Sequence, residues 1–168
     1  AGSVKIDGSN LGSALAGSIA ATRLSANTAK GFSIVSFTGT GSNATVAHGL
    51  SGAPELIILK NRSATASWLV RTQVLDADET LLLENTTAAV GTNYWQNTQA
   101  DSSVFSISTN SEANGSGNNL VAYCWDSISG YSSIGTYTGD GTTDGSKAIT
   151  TGFLPAWVLI KGTSGASH

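Results

Sequence analysis

An all-β fold, β-sandwich or jelly-roll-like, is predicted by three features of this sequence. Short runs of apolar, β-branched and aromatic residues recur between clusters of Gly, Asn, Asp and Ser. Beyond residue 30 no stretch carries a helical apolar period. Residues 31–67 also return in altered form as residues 130–168, an internal repeat of about 100 residues.

Residues 1–30 come first and differ from the rest. "NLGSALAGSIAATRLSANTAK" is rich in Ala, Ser and Gly, and Leu11, Leu15, Ile19 and Leu24 fall four or five positions apart. That spacing fits an irregular or loosely helical N-terminal arm, a linker or stem whose small residues let chains approach closely. From residue 31, "FSIVSFT" and "ATVAH" flank a Gly, Ser and Asn turn and read as a hairpin. "GLSGAP" then breaks the chain before "ELIILKN", which is too short and too β-branched for a helix and apolar enough for a buried strand. Further strands are expected in "SWLVRTQV", "ETLLLEN", "SVFSISTN" and "NNLVAYCWDS". The run "LVAYCW" is apolar nearly throughout, which places it at the centre of a sheet with both faces covered.

In the repeat, Thr38 and Gly39 lie over Thr138 and Gly139, and residues 54–60 lie over residues 155–161. The expected organisation is therefore an arm at 1–30, a first β repeat at 31–129, and the start of a second, truncated repeat at 130–168. The alternative is that 130–168 forms the second half of a single β domain. A start at Ala1 and an end at "SGASH" fit a processed or partial stretch of a longer protein.

Composition narrows the function classes. Only 11% of residues are charged, against about 25% in ordinary soluble domains. The chain instead has 24 Ser, 20 Thr, 20 Gly and 11 Asn, so its surface is one of hydroxyls and amides. With 8 Lys and Arg and a net charge of -3, nothing forms a cationic face for nucleic acid. No apolar run reaches the roughly 18 residues of a membrane-spanning helix, so no membrane insertion is expected. The single cysteine, Cys124, has no partner for an intrachain disulfide and reads as a buried structural thiol.

"GDGTTDGS" at 139–146 resembles the opening of a calcium loop, with Asp140, Thr142 and Asp144 at alternate positions and Gly145 after them. Counting from Asp140, however, the twelfth position, which needs a bidentate glutamate, is Thr151. The matching turn of the first copy, "GTGSNATV", lacks both acids. The turn is therefore read as structural, and Asp140 and Asp144 remain only a weak metal candidate.

His48 is the only internal histidine, and its counterpart in the second copy is a threonine, so no catalytic or metal role is assigned to it. Asp76, Asp78 and Glu79 in "LDADET" are neighbours on one connection, not acids held across a cleft. No phosphate loop, nucleophile elbow or zinc spacing occurs. No catalytic residue and no cofactor is expected, and the protein reads as not an enzyme. Sequons at Asn43, Asn61, Asn85 and Asn114 are about as many as chance predicts in so hydroxyl-rich a chain.

Aromatics supply the remaining chemistry. Trp68, Tyr94, Trp95, Tyr123, Trp125 and Trp157 are large enough to present flat faces to a sugar. Trp125 and Trp157 lie on expected strands and are placed in the core. Asn93, Tyr94, Trp95 and Gln96, in the loop-like "GTNYWQNT", form the candidate ligand-binding surface.

Taken together, "GFSIVSFTGTGSNATVAHGLSGAPELIILKNRSATASW", "NNLVAYCWDSISGYSSIGTYTGDG" and "GFLPAWVLIKGT" resemble a β-rich module of uncharacterised function found in large structural proteins of marine tailed bacteriophages, often beside fibre or lectin-like domains. The resemblance covers about residues 31–168. It implies a tail-fibre, head-fibre or decoration module, extracellular on the virion surface, that takes part in host attachment and carries no enzyme. It supplies no site residues. Other virion proteins, a homo-oligomer (a trimer by analogy with phage fibres) and a host surface glycan are the partners it implies. The reading from another class is a carbohydrate-binding module of a secreted bacterial protein.

Overall fold

The computed structural model describes residues 3–11, 15–142 and 148–164. It is all-β, with eleven strands and a single helical turn each of the 3-10 and α kinds among the described residues. Nine strands make one mixed sheet in the order β2-β1-β3-β4-β11-β6-β7-β8-β9. These are β1 (Ser3–Ile6), β2 (Ser9–Asn10), β3 (Arg23–Asn27), β4 (Phe32–Thr38), β6 (Leu56–Asn61), β7 (Trp68–Thr72), β8 (Glu79–Leu82), β9 (Val90–Gly91) and β11 (Asn119–Trp125). The other two, β5 (Ala44–Ala47) and β10 (Val104–Ile107), pair antiparallel as a second, smaller sheet.

Period-2 alternation decides which face each strand buries. Along β11, Leu120, Ala122 and Cys124 point into the main core. Across the ladders, Leu120 and Ala122 stand opposite Phe37 and Val35 on one side and Asn61 and Leu59 on the other. The small β5–β10 sheet covers this face with Ala44, Val46, Phe105 and Ile107, and the Phe37 and Phe105 rings meet edge-on at 6.3 Å. β11 is the central strand that its apolar run predicts, but only one of its faces is closed, since Tyr123 and Trp125 on the other are half-buried; β6 is the buried strand expected from "ELIILKN".

Three parts of the chain differ from expectation. The described residues of 1–30 do not form a loose helical arm: β1 and β3 run parallel in the main sheet, and Val4, Ile19, Leu24 and Ala26 are buried in its core. The alternation in "RLSAN" turns Leu24 and Ala26 inward, and β3 pairs along β4 over five residues. "FSIVSFT" and "ATVAH" are not a hairpin, because β4 already has partners on both edges and the chain crosses to the second sheet. That crossing is held by Asn114, which accepts from the Thr40 N–H at 2.8 Å and donates to the Ser42 carbonyl at 2.6 Å. Gly39 is required there, since a Cβ would lie 2.4 Å from the Gly115 carbonyl oxygen. Finally, among the described residues no strand follows β11, although residues 155–161 match in sequence residues 54–60, which contain most of β6.

Candidate functional site

The loop singled out as a ligand surface is largely a structural brace. Trp95 is 1% exposed, and its indole N–H donates to the Thr80 hydroxyl at 2.6 Å. Gln96 sits in the left-handed region at φ 56 and donates to the carbonyls of Ala44 at 2.9 Å and Ile107 at 2.8 Å, clamping the end of the β5–β10 ladder. Tyr94 is half-buried and donates its hydroxyl to Glu112 at 3.1 Å; burial first, then this carboxylate, pushes its pKa up. Of the four, Asn93 alone is exposed. The expectation for Trp95 is thus overturned: a large ring that finds both an apolar pocket and a partner for its N–H is more stable inside.

The other polar candidates also have structural partners. His48 is fully buried; its Nδ1 accepts from the Leu50 N–H at 3.1 Å, which leaves Nε2 to donate to the Asp101 carbonyl at 3.0 Å. Burial is the main cause holding its pKa below the ordinary histidine value. Arg71, which sequence reasoning passed over, is buried and donates to the Ala77 carbonyl at 2.7 Å and to Gln99 Oε1 at 2.5 Å. It therefore ties the "LDADET" connection to the 98–99 segment. Cys124 is fully buried, and desolvation pushes its thiol up to about 12. Asp140 accepts from the Thr142 N–H at 3.0 Å and from its hydroxyl at 2.9 Å, an Asx turn as expected of a structural loop. Asp144 lies outside the described residues.

Two solvent-facing apolar features stand out instead. On the face of the main sheet away from the β5–β10 layer, Phe32 lies 5.1 Å from Trp125, and Tyr123 stacks on Trp125 at 6.2 Å and 26°. Trp125 is half-buried, not enclosed, and packs beside a smaller cluster built on Ile58, Val70, Leu75 and Leu81. The signal was present in Tyr123-Cys124-Trp125: on a strand, period 2 sends both rings to the face opposite the thiol.

The second feature is the segment at 154–160, whose residues from 155 on resemble in sequence those that contain most of β6. There Leu154 is 95% exposed, Trp157 74%, Ile160 65% and Val158 62%. Trp157, expected in the core, stands in solvent, in a segment that forms no strand of either sheet.

Fold and surface thus define an all-β domain with an enclosed core, braced polar loops and apolar side chains displayed outward. The chain belongs to the DUF7483 family, a domain of unknown function, whose pattern matches residues 6–168. No curated protein and no solved structure matches it significantly.

Proposed function

We propose that this domain is a structural module of a tailed-phage virion surface, in a tail fibre, head fibre or capsid decoration, and that it works in host attachment through its surfaces. The observation that carries the reading is the outward apolar segment at 154–160, which holds the four most exposed large apolar residues among those described, on a chain rich in Ser, Thr and Asn. A large exposed apolar patch on such a surface is the mark of a protein that functions against a neighbour. The resemblance of residues 31–168 to modules of phage structural proteins supplies the kind of assembly, with other virion proteins as neighbours and closed cyclic symmetry, a trimer, as the expected arrangement. The test is immunogold labelling of purified particles of the phage that encodes the chain. Label on tails, head fibres or capsids supports the reading, and chain found only in the soluble lysate refutes it.

One observation favours a carbohydrate-binding module as the second reading. The Phe32, Trp125 and Tyr123 strip is a row of half-exposed rings on a flat sheet face, a shape suited to stacking on sugar rings. A glycan array decides it: binding lost in Trp125→Ala supports this reading, and no binding by the wild type removes it.

A further inference from the structure

Residues 154–160, Leu-Pro-Ala-Trp-Val-Leu-Ile, carry no charge and are apolar throughout. Among the described residues, none of their backbone groups takes part in a hydrogen bond between main chains. The segment is nonetheless held in place at its far end: Lys161 donates to the Asn85 carbonyl at 2.7 Å, and the Thr163 carbonyl accepts from the Ala89 N–H at 3.0 Å. These anchors set it near β9, the last strand of the main sheet. That strand is only two residues long, so the chain's own edge provides no ladder of matching length.

The repeat indicates what such a sequence is built for. The counterpart of 155–161 is 54–60, which contains most of β6. β6 is hydrogen-bonded to β11 on one side and β7 on the other, and its Ile57 and Leu59 are fully buried. The segment itself forms no strand and bends at Ala156, but an apolar stretch whose N–H and C=O groups make no main-chain bond to the described residues is a template on which another strand can form.

We propose that residues 154–160 are a self-association strand, which pairs with a second copy of this chain and buries Leu154, Trp157, Val158 and Ile160 in the contact. The area agrees. From their fractional exposures, the residues Leu154, Trp157, Val158, Leu159 and Ile160 present on the order of 700 Å² in all, an upper bound on what a partner covers here that is comparable with the roughly 800 Å² per partner of a stable interface. The inference rests on the assembly reading above and names the partner.

The test is multi-angle light scattering of the 168-residue chain at micromolar concentration, with hydrogen exchange followed in 154–160. A mass of two or more times 17.0 kDa and slow exchange in this segment are expected. Val158→Pro, which removes a donor, and Trp157→Ser, which removes the largest apolar face, should each weaken association at least about 30-fold, as for loss of an interface hot spot. Both should keep the near-UV circular dichroism of the folded core. A wild type of one-chain mass with fast exchange at 154–160 overturns the proposal, and so does a multimer that both variants leave intact. Either result, combined with gold-labelled virions, leaves the virion reading standing. A dissociable multimer with unlabelled particles does the reverse.

Discussion

Trp95→Ala probes the fold most directly, because residue 95 looks like loop from its neighbours and is core in the structure. The indole is 1% exposed and belongs to the main cluster with Phe105, Ile107 and Leu120. Truncating a fully buried large aromatic costs about 3–5 kcal/mol through lost transfer energy and the cavity left behind. Loss of the bond to Thr80, whose hydroxyl is buried with its residue, adds about 1 kcal/mol. With a urea slope of about 2 kcal/mol/M, the unfolding midpoint should fall by roughly 2 M, enough to unfold a marginal domain outright. Trp95→Phe separates the two effects, since it keeps most of the ring and removes the donor; it should cost about 1–3 kcal/mol. Asn93→Ala, two residues away and exposed, should stay within about 0.5 kcal/mol of wild type. Urea titrations followed by circular dichroism at a common, dilute protein concentration give the three values. The reasoning is refuted if Trp95→Ala costs under about 1 kcal/mol, or if Asn93→Ala costs as much as Trp95→Ala.

Four further outcomes are expected. His48 has a folded-state pKa below its unfolded one, so the unfolded chain takes up the proton first: its contribution is complete above about pH 6.5 and is lost as pH falls from there through the folded value. Urea midpoints between pH 7.5 and 5 should therefore decline in the wild type and decline less in His48→Gln. Asn114→Ala removes the buried amide that holds Thr40, Ser42 and Ser108 and should cost about 2–4 kcal/mol by thermal or chemical unfolding. Gly31→Ala places a Cβ 2.5 Å from the Asp126 carbonyl oxygen at φ 58, so a loss of at least about 1–3 kcal/mol is expected by the same measurement. Calorimetry with calcium should give no binding at micromolar affinity, since Thr151 stands where a calcium loop of this spacing needs its glutamate.

Much of the fold was legible because strand formation is written locally. Apolar alternation and Gly, Asn and Asp punctuation mark β4, β6, β7, β8, β10 and β11, and the apolar continuity of "LVAYCW" marks the central strand. Composition likewise shows a chain rich in Ser, Thr and Asn with only 8 Lys and Arg. Which strand pairs with which was decided only in three dimensions, because pairing depends on edges that remain free once other partners are taken. β4 lies between β3 and β11, so β5 crosses to β10, and an apparent hairpin becomes a link between two sheets. β1 finds β3 across a connection with no strand signal, and so draws the N-terminal residues into the core. The fates of the tryptophans follow from the same cause. Trp95 lies in a turn-rich stretch yet is enclosed because Thr80 and the β5–β10 layer surround it. Trp157 lies in a strand-like stretch yet is exposed because that stretch joins neither sheet. Local sequence dictates the conformation a segment prefers, but burial belongs to whatever the rest of the molecule brings against it.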